Sequence, residues 1–230
     1  MRIVSILIFI SCLLFAGCKK SVDEEDVNEV EVRQNYEDYV KLLRDHNRPR
    51  YDYFPAGIFD ANDEYDKFVN LWYGDMLAAL GEPSFYAQRD DRDKKIFRFT
   101  WLRTFHRPIS IRLERREDGT GLLYCRVTNG AGGYVPGTIM KSYEKEIGKE
   151  NMNEFLELIN KHKFWDMPTK TDPMGLDGAQ WIIEGLSDGR YHIVDRWSPE
   201  AGTWNADGKG IMEMGLLLLK FSELVVTEIY

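Results

Sequence analysis

Gly185 to Pro199 reads GLSDGRYHIVDRWSP, and the way this stretch folds decides the class of the whole chain. Gly185-Leu186-Ser187-Asp188-Gly189 fits G-x-S-x-G, the pattern of a serine-hydrolase nucleophile elbow. That elbow needs a strand before the serine and a helix after it. The residues after Gly189 are RYHIVDRW, where Tyr, Ile, Val and Trp favour a strand. Asp188-Gly189 is a strong turn signal. The stretch therefore predicts a β-hairpin with Ser187 at its tip, and an antiparallel sheet in place of a hydrolase fold.

The pattern of WIIEGL and RYHIVDRW predicts a three-residue loop, Ser187-Asp188-Gly189, with Gly189 left-handed. This register sets Leu186 against Arg190, Glu184 against His192 and Trp181 against Asp195. The two-residue alternative sets Glu184 against Ile193, a poorer chemical match. On the expected register one face carries Trp181, Ile183, Tyr191, Ile193 and Trp197. The other carries Ile182, Glu184, Arg190, His192, Val194 and Arg196. A carboxylate beside an imidazole favours the charged ring and can orient it for acid–base work. The plainer reading of Glu184 and His192 is a cross-strand ion pair contributing about 0.2–1 kcal/mol. Glu184, His192, Arg190, Arg196, Trp181, Trp197 and Ser198 form the candidate functional face, because they mix chemically able groups with aromatics. No catalytic residue is assigned among them.

Outward from the hairpin, period-two alternation continues upstream. In FRFTWLR, Phe97, Phe99 and Trp101 share a face; Ile109, Ile111 and Leu113 alternate with Ser110, Arg112 and Glu114; Leu123, Cys125 and Val127 alternate with Tyr124, Arg126 and Thr128. These are half-buried antiparallel strands, with a turn at Glu117–Gly121. Helical spacing marks Val32 to Asp45, and again Tyr65, Phe68, Val69, Trp72, Met76 and Leu80, with Gly81 as a left-handed C-cap before Pro83. Asn151 and Glu154 resemble a helix cap ahead of Phe155, Leu158, Ile159 and His162. Ile211 to Phe221 contains Glu213 and Lys220 and reads as a buried helix, not a membrane span. The expected class is α+β, an antiparallel meander with flanking helices, in a single globular domain over residues 32–230.

Other motifs fail on their context. NGAGGYVPG (Asn129 to Gly137) lacks the Lys-Ser/Thr of a phosphate loop and reads as a shaped loop or an anion nest. His46, His106, His162 and His192 have no metal-ligand spacing. DANDE (Asp60 to Glu64) begins like a calcium loop, with Tyr65 where glycine is required. Asp172 and Asp177 suit calcium, a turn or a cap equally. No metal and no cofactor is expected. Cys125 lies on the apolar face and reads as a small buried hydrophobe.

The chain opens MRIVSILIFISCLLFAGCKK. Arg2 precedes an apolar run from Ile3 to Phe15, long enough for a signal-peptide core and short for a bilayer span. A transmembrane anchor and an ordinary secretory signal are the alternatives. Phe15-Ala16-Gly17-Cys18 resembles a bacterial lipobox, with Phe15 where leucine is usual. The resemblance implies removal of residues 1–17 and lipidation of Cys18, and acyl chains contribute about 0.8 kcal/mol per buried methylene. Only Arg2 among the charges is lost, so the mature chain has 29 Lys and Arg against 38 Asp and Glu, a net charge of −9 in place of −8. That balance disfavours nucleic acid as a partner. Of the cysteines Cys12, Cys18 and Cys125, the first leaves with the signal and the second carries lipid, so no internal disulfide remains. Lys19 to Glu31 is charged and lacks aromatics, the composition of a disordered tether over residues 18–31 spanning about 20 Å. It is also similar to surface-export signals of some Bacteroidetes lipoproteins.

LGEPSF, FTWLRTFHRPISIRLE, NGAGGYVPG, GLDGAQWIIEG and GRYHIVDRWSPE together resemble an uncharacterised bacterial envelope protein family, over about Leu80 to Glu200. The resemblance implies a shared domain and no particular reaction. The expectation is a lipoprotein of the cell envelope, outer membrane favoured, on its periplasmic or surface face. Its domain reads as a binding module for an envelope protein or glycan partner. The alternatives are an envelope hydrolase using Glu184 and His192, and a protective lipoprotein that inhibits a lytic enzyme.

Overall fold

The computed structural model describes residues 53–170, 175, 177–199, 206–226 and 228–229. Cys18, the tether, the helix expected over residues 32–45, and Asp172 lie outside the described residues. The α+β expectation holds. Six strands, β1 (Lys95–Arg103), β2 (Ile109–Arg115), β3 (Gly121–Thr128), β4 (Ile139–Ile147), β5 (Ala179–Ser187) and β6 (Arg190–Trp197), form one antiparallel sheet in the order β4-β3-β2-β1-β5-β6. Three helices flank it: α1 (Asp63–Ala79), α2 (Lys149–Lys161) and α3 (Ala206–Ser222). β1 to β4 form a meander, and the 179–197 hairpin joins its other side through β5.

One face holds the main core. Phe97, Phe99, Trp101, Ile111, Leu113, Leu123, Cys125, Trp181, Ile183 and Val194 project from it against Met152, Phe155 and Ile159 of α2 and Ile211, Met214, Leu218 and Phe221 of α3. Each such side chain contributes about 1.5–3 kcal/mol on burial. Cys125 is fully buried there, and burial pushes its thiol upward, as an unreactive hydrophobe should behave. The second face is covered in part. Val69, Tyr73, Met76 and Leu77 of α1 pack with Leu102, Ile182 and Ile193, joined by Tyr53, Phe54 and Phe59.

α1 begins where its chemistry dictates. The Asn62 side chain accepts from the Glu64 and Tyr65 amides at 3.1 and 3.4 Å, so DANDE is a helix cap. Asp66 accepts from the Gly57 and Phe59 amides at 2.7 and 2.9 Å and fixes the entering chain. The helix closes with Gly81 at φ +67. The α2 cap differs from expectation: Gly148 is the N-cap, with no side-chain bond, and the helix starts at Lys149.

The hairpin is real, and its register is corrected. Ser187 pairs with Arg190, Leu186 with Tyr191, Gly185 with His192 and Glu184 with Ile193. The loop is the two-residue Asp188-Gly189, with φ +55 and +80, the left-handed pair of a type I′ turn, whose twist matches that of the strands. The one-residue difference moves every β6 side chain to the other face. Tyr191 and Ile193 lie on the α1 side, while His192, Val194 and Arg196 share the side of Trp181 and Ile183.

Candidate functional site

The seven residues of the expected functional face do not converge. Glu184 and His192 project from opposite faces, so the proposed pair is overturned. Glu184 instead meets the other neighbouring strand: it lies directly across from Arg98 of β1, and both side chains are buried. Arg98 donates through Nε to Glu184 Oε2 at 2.9 Å and again through Nη2, and the Tyr191 hydroxyl donates to Glu184 Oε1 at 3.0 Å. Burial raises the Glu184 carboxyl even against this guanidinium. The charged partner of Glu184 thus comes from β1, and the hairpin itself contributes the Tyr191 hydroxyl.

The other candidates have structural tasks. Trp181 is fully buried and packs on Phe99 and Trp101 with ring centroids 5.2 Å from each. Arg196 donates to the Thr169 and Pro168 carbonyls at 3.0 and 2.9 Å. Ser198 Oγ accepts from the Ala179 amide at 2.9 Å. Trp197 closes against Gly178, where a Cβ would stand 2.6 Å from the indole. Arg190 is exposed and donates to the Trp165 carbonyl. Ser187 Oγ donates to the carboxylate of its neighbour Asp188 at 2.8 Å, at the exposed tip of the turn.

The glycine-rich loop is not an anion nest. Its amides are used internally: Gly132 donates to His106 O at 2.9 Å, Gly133 to Thr104 O at 3.1 Å and Ala131 to Val135 O at 2.9 Å. Trp72 of α1 donates its indole N–H to Gly132 O at 3.1 Å, which fastens the loop to the helix.

What the sheet does assemble is a row of charged and aromatic side chains on the α1 side. Pairing aligns Glu184, Arg98, Arg112, Tyr124 and Glu144 across β5, β1, β2, β3 and β4. The next row aligns Thr100, Ser110, Arg126 and Ser142. Glu82, just past the α1 C-cap and fully buried, leans over both rows. Its Oε2 accepts from Arg112 Nε at 2.9 Å and lies 3.5 Å from Arg98 Nη1, and its Oε1 stands 4.0 Å from Arg126 Nε without a hydrogen bond. The Arg112 guanidinium stacks on Tyr124 at 3.8 Å. From β5 outward the row passes from closed to open: Arg98 is buried, Arg112 is 8 % exposed, Tyr124 and Arg126 are half-buried, and Ser142 and Glu144 are exposed. Ser110, expected on a solvated face, is buried with its hydroxyl unbonded.

Arg98, Arg112 and Arg126 carried a legible signal. Each sits between core residues in successive strands, as FRF, IRL and CRV. Alternation placed them opposite the core, but the contribution of Glu82 depends on a helix end that the strand pattern does not reveal.

A second polar cluster locks the β6 side. Asp195 is buried; Tyr73 donates to its Oδ2 at 2.9 Å and Lys170 lies 3.3 Å away. Burial raises the Asp195 carboxyl, while Lys170 is the first group to oppose that. Among the described residues no group of three or more His, Cys, Asp or Glu is placed to hold a metal ion, and no described helix is long and apolar enough to cross a membrane. Compared with models of protein families and with curated proteins, the chain matches none. Fold and geometry thus define an α+β domain with one sheet face packed against α2 and α3 and one half-open face bearing arginine, tyrosine and glutamate.

Proposed function

We propose that the chain is a lipoprotein of the cell envelope, anchored through Cys18, whose domain is a binding module that meets its partner with the open half of the sheet. The observation that carries the reading is the Arg112–Tyr124–Arg126 surface. The Arg112 guanidinium is held by the buried Glu82 carboxylate and the Arg126 guanidinium donates to Ser142, so little side-chain freedom is lost on binding. Tyr and Arg are the residue types that dominate binding energy at interfaces. The zoned N-terminus and lipobox-like Phe15–Cys18 support the anchor.

Two measurements test the two halves. Detergent-phase partitioning of wild type against Cys18→Ala tests the anchor: wild type enters the detergent phase and the variant, if exported, does not. Equal partitioning contradicts lipidation. Affinity capture from solubilised envelopes tests the face. A partner recovered with wild type is lost with Tyr124→Ala/Arg126→Glu at unchanged melting temperature. Its retention contradicts the assignment of this surface.

A further inference from the structure

We propose that residues 32–45 of this chain dock as a helix on the open half of the sheet, beside α1, and that a partner reaches the Arg112–Tyr124–Arg126 surface by displacing them. The segment lies outside the described residues. Its place follows from the shape of the surface, from where the described chain begins and from its own sequence. The displacement, unlike the docking, rests on the binding-module reading above.

The surface leaves room for one helix. Two helices, α2 and α3, pack on the other face. This face has α1 alone among the described helices, over β1, β5 and β6, which leaves β2, β3 and β4. Strands stand about 4.8 Å apart, so these three span about 10 Å, the diameter of a single helix. Apolar surface is on offer there. Leu122 and Tyr124 alternate outward on β3 and are half-buried. Ile139 is 45 % exposed and turns toward Gly81 at the end of α1, where a Cβ would stand 3.4 Å from its Cδ1.

The described chain starts beside this gap. Tyr53 donates its hydroxyl to Glu82 O at 2.9 Å, and its own carbonyl accepts from Ser84 Oγ at 2.9 Å. Glu82 in turn stands over Arg112 and Arg126. The eight residues from 45 to 53 extend to about 28 Å at most, which exceeds the width of the three strands.

The segment has a face to bury. Val32, Tyr36, Tyr39, Val40 and Leu43 fall on one stripe about 100° wide of a 3.6-residue helix, with Gln34, Asp38, Lys41 and Asp45 on the opposite side. A tyrosine ring from that stripe suits the Arg126 guanidinium, which donates to the exposed Ser142 and stands 4.0 Å from Glu82 Oε1 without a hydrogen bond to it. A segment tethered this closely competes at high effective concentration, and a partner's affinity falls with the fraction of chains whose surface is open.

Photocrosslinking of the purified full chain, dilute and in detergent, tests the docking. A photoreactive residue at Ser142 should give an intramolecular crosslink to the tryptic peptide Gln34–Lys41, and one at Glu157, exposed on α2, should not. Tyr39→Asp/Val40→Asp should lower the yield tenfold or more; if that variant does not fold, the wild-type map alone decides. Crosslinks from Ser142 that miss residues 32–45, that join two copies, or that persist in the folded variant overturn the docking. In affinity capture from solubilised envelopes the same variant should recover at least fivefold more partner than wild type, and equal or lower recovery overturns the displacement. Capture of no partner by either form contradicts the binding-module reading, while the crosslink map still decides the docking.

Discussion

At the residue scale the informative side chain is Glu184. Its carboxylate is fully desolvated and its charge is balanced by Arg98. Removing Glu184 leaves the buried Arg98 with only the more distant Glu82 carboxylate, which Arg112 shares, and costs up to about 3–5 kcal/mol. Glu184→Ala should therefore destabilise by that amount in urea unfolding. Arg98→Met/Glu184→Leu, which removes both charges, should recover most of the loss. A double variant as unstable as the sum of the singles would contradict the pairing. The hairpin tip makes the opposite prediction. Ser187→Ala should stay within about 0.5 kcal/mol of wild type, because the hydroxyl's hydrogen bond is an exposed one to the neighbouring Asp188. Gly189→Val should cost about 1–3 kcal/mol, since φ +80 is hostile to a β-branched residue. Thermal melts of the two variants check this, and a folded Ser187→Ala that loses binding would undo the account of the tip.

At the element scale, α3 approaches the sheet at Gly215. A Cβ there would stand 2.9 Å from Trp181 and 3.1 Å from Phe99. Gly215→Leu should cost about 1–3 kcal/mol by overpacking, although leucine is the better helix former. A stabilised variant would mean that α3 does not sit on these aromatics. How far each element was legible depends on its surroundings. β1, β2 and β3 alternate cleanly because one face meets the α2–α3 core; α1 announced itself by its spacing and by Gly81. β4 carries no such signal: in IMKSYEKEI only Ile147 is fully buried, since an edge strand with polar residues has little to alternate. The hairpin was legible and its register was not. Matching Glu184 to His192 assumed one solvated face, whereas both faces of β5 are covered and the carboxylate's partner comes from β1.

At the scale of the whole molecule, the sheet is asymmetric. α2 and α3 close one face, whereas α1 closes the β1–β5–β6 half of the other, and the chain just past its C-cap places Glu82 above the arginines of β2 and β3. The candidate surface arises from that incomplete cover, which explains why no single motif in the sequence marks it. The proposed anchor would leave such a domain near a membrane with its open half available to a partner. Site-specific photocrosslinking in intact cells tests this most directly. A photoreactive residue at Ser142, exposed on the open half, is compared with one at Glu157, exposed on α2. The account predicts a discrete crosslinked species at Ser142 that disappears with Arg126→Glu, and none at Glu157. Crosslinking at Glu157 with none at Ser142 would contradict it.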